Sequence, residues 1–333
     1  MVLVLILLPL AVFAQVYDFE FTSYDDNVNI YQNPHLNPPT WASVVGFWRR
    51  PYEDLYIPVT YSLWAVQARL SLWLFPEDRG GEMAPYLFHL SNVGLHLTNV
   101  ILVWLILRRL TRADWAAVLG TLVFALHPIQ VEAVAWVTGF KDVAGGFFCL
   151  LCLWLYLRWL DRGQNLTGYL LVSLAFVAAI LAKPSAVVLP LLAAILGCLA
   201  SERGKSTRRA WLAVVPWLAI ALVVTLLTQR AQVHGSQIVY APLWLRPLVA
   251  ADSLAFYLYK LVVPIWYGPD YTRLTPDLRA SRVIYLTWLA PAAAVVGVWL
   301  AARRGDRQIL IGSVFFLLAV LPVLGLAKFQ FQY

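Results

Sequence analysis

Long apolar stretches that carry almost no charge are the feature that most constrains this chain. Apolar residues make up 61% of the 333 residues and charged residues only 13%. A bilayer core requires about 20 mainly apolar residues per helix. We therefore expect nine membrane spans, at residues 1–16, 85–107, 114–131, 143–160, 167–182, 185–200, 210–228, 283–302 and 308–326.

This composition predicts the fold class and excludes several kinds of protein. Since a soluble domain needs charged surface around its core, a cytosolic enzyme and a nucleic-acid binder are excluded, despite the formal charge of +7. We expect an all-α, polytopic transmembrane helix bundle that forms one domain over residues 1–333. Val12-Phe13-Ala14 is similar to a signal-peptide cleavage site, but no basic region precedes the apolar run, which favours an anchor.

The basic residues predict how the bundle is oriented. Twelve of the 25 basic residues lie in four short connectors, which should face the cytoplasm: Arg108, Arg109, Arg112, Arg158, Arg162, Arg203, Lys205, Arg208, Arg209, Arg303, Arg304 and Arg307. A tenth apolar stretch, 248–265, contains Asp252, Lys260 and Pro264. If it crossed, the last connector would face outward, so we predict a re-entrant or interfacial helix there.

Two regions then lie outside the membrane, at residues 17–84 and 229–282. The first holds nine acidic and four basic residues. Its stretch 56–75 alternates polar and apolar residues, with Trp64 and Trp73 on the apolar side. Gln67 and Arg69 would be costly in lipid, so we predict an amphipathic helix in the interface.

Paired carboxylates follow the first span, in Tyr24-Asp25-Asp26-Asn27. Adjacent side chains on an extended loop point apart. One aspartate could therefore face a substrate cavity while the other accepts hydrogen bonds from the loop. Ordinary turn chemistry explains the same residues.

A second polar group occupies the outer ends of two predicted spans. It comprises His127-Pro128-Ile129-Gln130-Val131-Glu132, then Trp136 and Lys141-Asp142. If the first segment stays helical, His127 and Val131 share a face. Ionisable groups at this depth usually line an aqueous cavity or pair with each other. Lys141 and Asp142 could equally be an interfacial lysine and its partner.

Further cations lie on the side where the positive-inside rule disfavours them. These are Lys183, which precedes Pro184, and Arg230, with His234 beyond it. Each alone is typical of an interfacial anchor, but together with Lys141 they favour an anionic lipid headgroup such as a phosphate. The aromatic residues Tyr257, Tyr259, Trp266, Tyr267 and Tyr271 are typical of an interface belt.

Three ordered motifs resemble a known family. They are Tyr24-Asp25-Asp26 with Asn33-Pro34, the run Phe88-His89-Leu90-Ser91-Asn92-Val93-Gly94-Leu95-His96-Leu97-Thr98-Asn99, and His127 to Trp136 leading to Lys141-Asp142. Over about residues 17–330 the chain is similar to the transmembrane and tetratricopeptide-repeat O-mannosyltransferase group and its bacterial relatives. That group belongs to the GT-C glycosyltransferase superfamily. The printed sequence stops at Tyr333, where such relatives continue into tetratricopeptide repeats, so it resembles a fragment or a short form.

The resemblance implies a function and roles for the residues. It implies transfer of a sugar, mannose in the family, from a polyprenyl-phosphate carrier to a protein or glycan hydroxyl at the outer face of a membrane. Asp25 or Asp26 would be the general base, and no cofactor would be required, although a divalent metal on this pair is an alternative. The remaining residues would bind the lipid phosphate (Lys141, Lys183 and Arg230) or support the site (His127, Glu132, Asp142 and His89).

Other interpretations stay open at this stage. A secondary transporter could use His127, Glu132 and Lys183 for protons or an anion, but it predicts inverted repeats and broken helices at the midplane, whereas these charges lie at the outer ends of the spans. A noncatalytic anchor for a repeat domain predicts that both aspartates tolerate alanine. A polysaccharide ligase would differ mainly in its acceptor. The compact loops favour a bacterial inner membrane with a periplasmic site.

Overall fold

The computed structural model describes residues 1–75, 82–200, 205–231, 241–268 and 284–326, without the side chains of 199–200, 205–210 and 307. Within these ranges the chain forms helices and loops, with isolated bridges at Leu36–Pro39 and Tyr52–Leu55 instead of strands. The predicted all-α class is confirmed. Several residues named from the sequence lie outside the described ranges: Arg203, His234 and Tyr271, and the side chains of Lys205, Arg208, Arg209 and Arg307.

Fourteen α-helices form the described part of the chain. They are α1 (Val2–Phe13), α2 (Trp41–Arg49), α3 (Pro58–Leu74), α4 (Pro85–Thr111), α5 (Asp114–Leu126), α6 (Gln130–Ala135), α7 (Phe140–Asp161), α8 (Leu166–Ala182), α9 (Leu189–Ala200), α10 (Lys205–Ala231), α11 (Arg246–Val262), α12 (Ile284–Thr287), α13 (Leu289–Arg303) and α14 (Arg307–Val320). Short 3₁₀ turns occupy Ala14–Asp18, Pro184–Val188 and Leu321–Val323, and a π-turn occupies Asn27–Tyr31.

The apolar helices make this an integral membrane protein. Four are long and apolar enough to cross a bilayer: α4, α7, residues Trp211–Ala231 of α10, and the segment Ile284–Arg303. Five shorter apolar helices cover the other predicted spans: Val2–Asp18, Asp114–Leu126, Leu166–Ala182, Pro184–Cys198 and Gln308–Val323. The number of crossings, their orientation and the non-crossing of 248–265 stay predictions.

The centre of the bundle is the hairpin of α7 and α8, which packs against α4 and α9. Its core is aromatic: the rings of Phe176 and Trp217 stack with centroids 5.2 Å apart, and the Trp217 indole donates to Ser173 Oγ at 2.9 Å. Tyr156 is fully buried beside them. Since a buried indole needs an acceptor, this bond lets Trp217 fill the core without an unsatisfied donor.

One face of α4 explains the run of polar residues from His89 to Asn99. Its buried polar residues recur at spacings of three and four, so they lie on a single helical stripe. Asn92 Nδ2 donates to the carbonyl of Trp136 at 2.7 Å, and Asn99 Nδ2 donates to the carbonyl of Val143 at 3.0 Å. This stripe fixes the backbone on both sides of the turn that joins α6 to α7.

The predicted helix over 114–131 is wrong at its end. Helix α5 ends at Leu126, and His127 is extended (φ −61°, ψ 132°) before α6 begins at Gln130. The cause is Pro128, which disfavours the helical conformation for the residue before it. His127 and Val131 therefore do not share the face of one helix.

The predicted interfacial helix forms as α3, but its assigned apolar side is wrong. Trp64 is fully buried, whereas Trp73 is 71% exposed and Gln67 is buried. Residues nine apart on an α-helix point in opposite directions, because each residue turns the helix by about 100°. The buried face of α3 packs on α4, α7 and α8, so this helix is part of the bundle.

Candidate active site

The loop after α1 is locked in place by Asp26, which is fully buried. Its Oδ2 accepts from the backbone N–H and hydroxyl of Thr22, at 2.9 and 3.0 Å. Its Oδ1 accepts from the backbone N–H and hydroxyl of Thr138, at 2.9 and 2.8 Å. Four donors thus occupy one carboxylate, which ties the outer loop to the turn before α7.

Asp25 has the opposite environment. Its side chain is exposed, and its backbone is in the left-handed region at φ 63°. Its carbonyl accepts from both the backbone N–H and the side-chain amide of Asn29, at 2.9 and 3.0 Å. These bonds hold an unfavourable backbone conformation, which directs the Asp25 carboxylate away from Asp26.

Behind Asn29 lies a buried tyrosine. The Tyr61 hydroxyl donates to Asn29 Oδ1 at 2.8 Å, and the ring stacks on Phe47 with centroids 4.4 Å apart. Burial raises the pKa of Tyr61 well above its ordinary value, with smaller contributions from Tyr52, Glu53 and Asp25. The hydroxyl therefore keeps its proton and its donor role throughout the physiological pH range.

The turn between α6 and α7 brings Lys141 to the aspartate loop. The Lys141 ammonium lies 5.0 Å from the ring centroid of Trp136, whose indole donates to Thr22 Oγ1 at 3.1 Å. Lys141 interacts electrostatically with Asp25 and Glu132, and less strongly with Asp26. A Cβ on Gly139 would lie 2.6 Å from the carbonyl oxygen of Ala133, so the turn requires glycine here.

Lys183, at the end of α8, is the second cation of the group. It forms an ion pair with Asp142, and its side chain is 35% exposed. Thr60 of α3 donates to the carbonyl of the preceding Ala182 at 2.8 Å, which holds the end of α8 against the outer loop. A Cβ on Gly145 would lie 2.8 Å from the Lys183 Cβ, so α7 can approach this closely only with glycine there.

The two lysines repel each other. Burial lowers the pKa of Lys183, the charge of Lys141 adds to this shift, and Glu132 opposes it. An anion bound between the two ammonium groups would remove this repulsion. The arrangement therefore favours a negatively charged ligand beside the exposed carboxylate of Asp25.

The structure thus brings together six of the nine residues named from the sequence. It separates Arg230 and His127 from them, and His89 interacts electrostatically with Asp26 of the group. The group comprises Asp25, Asp26, Glu132, Lys141, Asp142 and Lys183. Arg230 is exposed at the end of α10, and no contact among the described residues joins it to this group. His127 Nε2 lies 3.2 Å from the carbonyl of Leu261 in α11. His89 is buried edge-on to Phe19, beside the backbone of Ala135.

Sequence reasoning missed the residues that position these groups, namely Thr22, Asn29, Thr60, Tyr61 and Thr138. All are common uncharged polar or aromatic residues, and all five bond to partners more than 30 positions away in the chain. Among these five, only Thr138 could have been suspected from its sequence neighbours, because it is a polar residue three positions before Lys141.

The aspartate pair does not fit a divalent metal. Each oxygen of Asp26 already accepts two hydrogen bonds, which leaves Asp25 alone to supply a carboxylate. A cation would also meet the charge of Lys141. Among the described residues, no group of three or more His, Cys, Asp or Glu side chains could hold a metal ion. The polar donors around Asp26 therefore take the place that a metal would need.

Comparison with known proteins shows what the central part of the chain resembles. Residues 90–228 match the family described as dolichyl-phosphate-mannose-protein mannosyltransferase. The chain is 35% identical over 147 residues to protein O-mannosyl-transferase Tmtc2 of Drosophila melanogaster, an alignment that covers 42% of this chain and 15% of that protein. The central part of this chain is therefore similar to protein O-mannosyltransferases.

Two further relatives match a similar share of the chain. Protein O-mannosyl-transferase TMTC1 of Mus musculus is 32% identical over 146 residues, which cover 42% of this chain and 15% of the mouse protein. The tmtc2 protein of Xenopus laevis is 32% identical over 151 residues, or 44% and 17%. The alignments thus cover about a sixth of the length of these relatives or less. No solved structure matches the chain.

The region that matches the family includes much of the site. Residues 90–228 contain Glu132, Lys141, Asp142 and Lys183, as well as most of the polar stripe of α4. Asp25 and Asp26 precede it. The matched region of this chain therefore carries Lys141 and Lys183, whereas Asp25 and Asp26 come from the loop after α1.

Proposed function

We propose that this chain is the membrane core of a glycosyltransferase that moves a sugar from a polyprenyl-phosphate carrier to a hydroxyl acceptor. The observation that carries the proposal is the exposed carboxylate of Asp25 next to Lys141, on a loop that Asp26 holds in place. A base and a cation side by side suit a reaction that removes a proton from one reactant and releases a phosphate from another.

Asp25 is the general base in this mechanism. As the acceptor oxygen attacks the anomeric carbon of the sugar, Asp25 takes the hydroxyl proton. The bond between that carbon and the phosphate oxygen breaks, and its electron pair leaves with the polyprenyl phosphate. Attack from the face opposite the phosphate inverts the anomeric carbon. Asp26 cannot share this role because its four lone-pair directions are occupied.

Lys141 and Lys183 stabilise the departing phosphate. The charge on the phosphate grows as the sugar leaves, so preformed cations lower the energy of the transition state more than that of the bound donor. Asp142 forms an ion pair with Lys183, and Glu132 interacts electrostatically with both lysines. Glu132 and Asp142 are therefore positioning residues, whereas no contact among the described residues joins Arg230 or His127 to this group.

The substrates are proposed from the proteins that the central part of the chain resembles. The relatives are named protein O-mannosyl-transferases, so we propose mannose as the sugar and a protein serine or threonine as the acceptor. The site lies at the end of α7 opposite to Arg158 and Arg162, and the positive-inside rule puts those arginines in the cytoplasm. Transfer then takes place at the outer or lumenal face, which is the periplasmic face of a bacterial inner membrane.

A transfer assay with matched aspartate variants tests this proposal. Membranes that contain the chain would receive radiolabelled polyprenyl-phosphate mannose, and incorporation into protein would be measured for the wild type, Asp25→Asn and Asp54→Asn. Asp54 is the control because it lies in the same outer region and has the same left-handed backbone, at φ 60°. Since asparagine tolerates this conformation, both changes remove one charge without new strain.

We expect Asp25→Asn to lower the rate by about 100-fold or more, the usual contribution of a general base, and Asp54→Asn to leave it unchanged. Equal rates for the two variants would refute the role of Asp25. If the wild type transferred no label from an intact donor, the choice of mannose would be wrong, and other polyprenyl-phosphate sugars would be tested in the same membranes.

A further inference from the structure

A cleft lies at the end of the α7–α8 hairpin where the two helices are joined. It has a volume of about 410 Å³, and the residues that line it include Trp154, Arg158, Trp159, Arg162, Asn165 and Leu171. Arg158 follows Lys141 by 17 positions on α7, which corresponds to about 26 Å along a helix axis. The cleft is therefore separate from the candidate active site.

The arginines of this cleft differ from two neighbouring arginines at the same end of the bundle. Arg108 and Arg109 are paired with aspartates: Arg108 Nε lies 2.7 Å from Asp114, and Arg109 contacts Asp161 at 2.5 Å. Within the part of the chain that the structure describes, Arg158 and Arg162 form no ion pair with a carboxylate. Since they are four residues apart on α7 and its end, both reach the same cleft.

Tryptophan contacts and an apolar surface form the walls of the cleft. The guanidinium of Arg158 lies 4.7 Å from the ring centroid of Trp154, which limits its movement. The Trp159 indole donates to the carbonyl of Asn165 at 2.9 Å, which closes the turn between the two helices. The apolar wall contributed by Leu171 continues along α8 through exposed Leu170 and Leu174, a surface that faces lipid in a bilayer.

We propose that this cleft binds the phosphate headgroup of an anionic membrane lipid. Arginine matches phosphate geometry with two parallel donors, and indoles prefer the headgroup depth of a bilayer. A lipid fits better than a soluble phosphate because the wall next to the guanidinium groups is apolar and continues along the lipid-facing side of α8. The site is independent of the transfer reaction and lies at the opposite membrane surface.

Native mass spectrometry of the purified chain in detergent tests this assignment. Phosphatidylglycerol or phosphatidylcholine would be titrated into the wild type, the Arg158→Gln/Arg162→Gln variant and a control, Arg303→Gln/Arg304→Gln. The control removes the same charge from the same predicted side, and Arg303 likewise lies over a tryptophan, at 3.8 Å from the Trp299 centroid. Near-ultraviolet circular dichroism would verify that each variant is folded.

We expect the wild type and the control to bind one phosphatidylglycerol at least tenfold more tightly than phosphatidylcholine, and the Arg158→Gln/Arg162→Gln variant to lose that preference. Equal losses in both double variants would refute a specific site, since they would show attraction to charge alone. Displacement of the lipid by inorganic phosphate at similar concentration would overturn the lipid assignment. If the double variant did not fold, Arg158→Gln and Arg162→Gln would be tested singly, with a severalfold loss expected from each.

Discussion

Replacing Asp26 by asparagine separates the structural aspartate from the catalytic one. The amide nitrogen that replaces one carboxylate oxygen would face two donors, the N–H and hydroxyl of either Thr22 or Thr138. Two charge-assisted hydrogen bonds, each worth about 1.5–3 kcal/mol, are then lost. The threonine hydroxyl can turn to accept from the new amide, which restores about 1 kcal/mol.

The substitution therefore weakens the attachment of the outer loop to the turn before α7 by about 2–5 kcal/mol. Because every 1.4 kcal/mol is a tenfold change, amides of the loop should exchange with solvent between about 30-fold and a few thousand-fold faster. Hydrogen exchange measured by mass spectrometry on peptides that cover residues 22–33 and 136–142 would report this. The rest of α7 and α8 should exchange as in the wild type.

Asp25→Asn is the matched variant for this experiment. Its exposed side chain bonds to none of the loop donors, so exchange should stay within about twofold of the wild type while transfer falls. Asp26→Asn should lose transfer as well, because Asp25 is then no longer held beside Lys141. The reasoning would be refuted if Asp26→Asn abolished transfer with unchanged exchange, since Asp26 would then act in the chemistry itself.

Three further predictions concern the residues around the site. Gly145→Ala should lower transfer and cost about 1–3 kcal/mol, because its Cβ would lie 2.8 Å from the Lys183 Cβ, as activity assays and thermal unfolding would show. Tyr61→Phe should lower transfer, and it should lower the free energy of opening of the loop, measured by hydrogen exchange, by about 1–3 kcal/mol, since it leaves the side-chain oxygen of Asn29 without its donor. The kcat/KM for the donor should fall as pH rises through the lowered pKa of Lys183, and Lys183→Arg should move that fall to higher pH.

Each of these predictions has its own control. Gly146→Ala makes the same change one position later, where the nearest atom, Asn99 Nδ2, lies 3.7 Å away, so it should be tolerated. Tyr56→Phe removes a hydrogen bond to Trp48 at an exposed position, and equal effects from both tyrosines would argue against a specific role of Tyr61. An unchanged pH profile in Lys183→Arg would show that another group titrates.

Much of the candidate site could be predicted from the sequence because charge is costly in a bilayer. Asp25, Lys141 and Lys183 are ionisable residues at the ends of apolar stretches, and the structure brings them together. Arg230 satisfied the same criterion, but it lies apart from the group. Sequence position gives the depth of a residue in the membrane, whereas packing of the helices decides which residues at that depth meet.

Hydrophobicity by itself determined that this chain is a helical membrane protein, since long apolar segments satisfy their backbone hydrogen bonds in lipid as helices. The tertiary structure decided that the two adjacent aspartates have different environments and roles. Asp26 is the anchor because Thr22 and Thr138, 116 residues apart, converge on it. Asp25 stays exposed because Asn29 holds its backbone in the left-handed region. Two identical neighbours in the sequence differ because their roles depend on long-range hydrogen bonds, which no local pattern encodes.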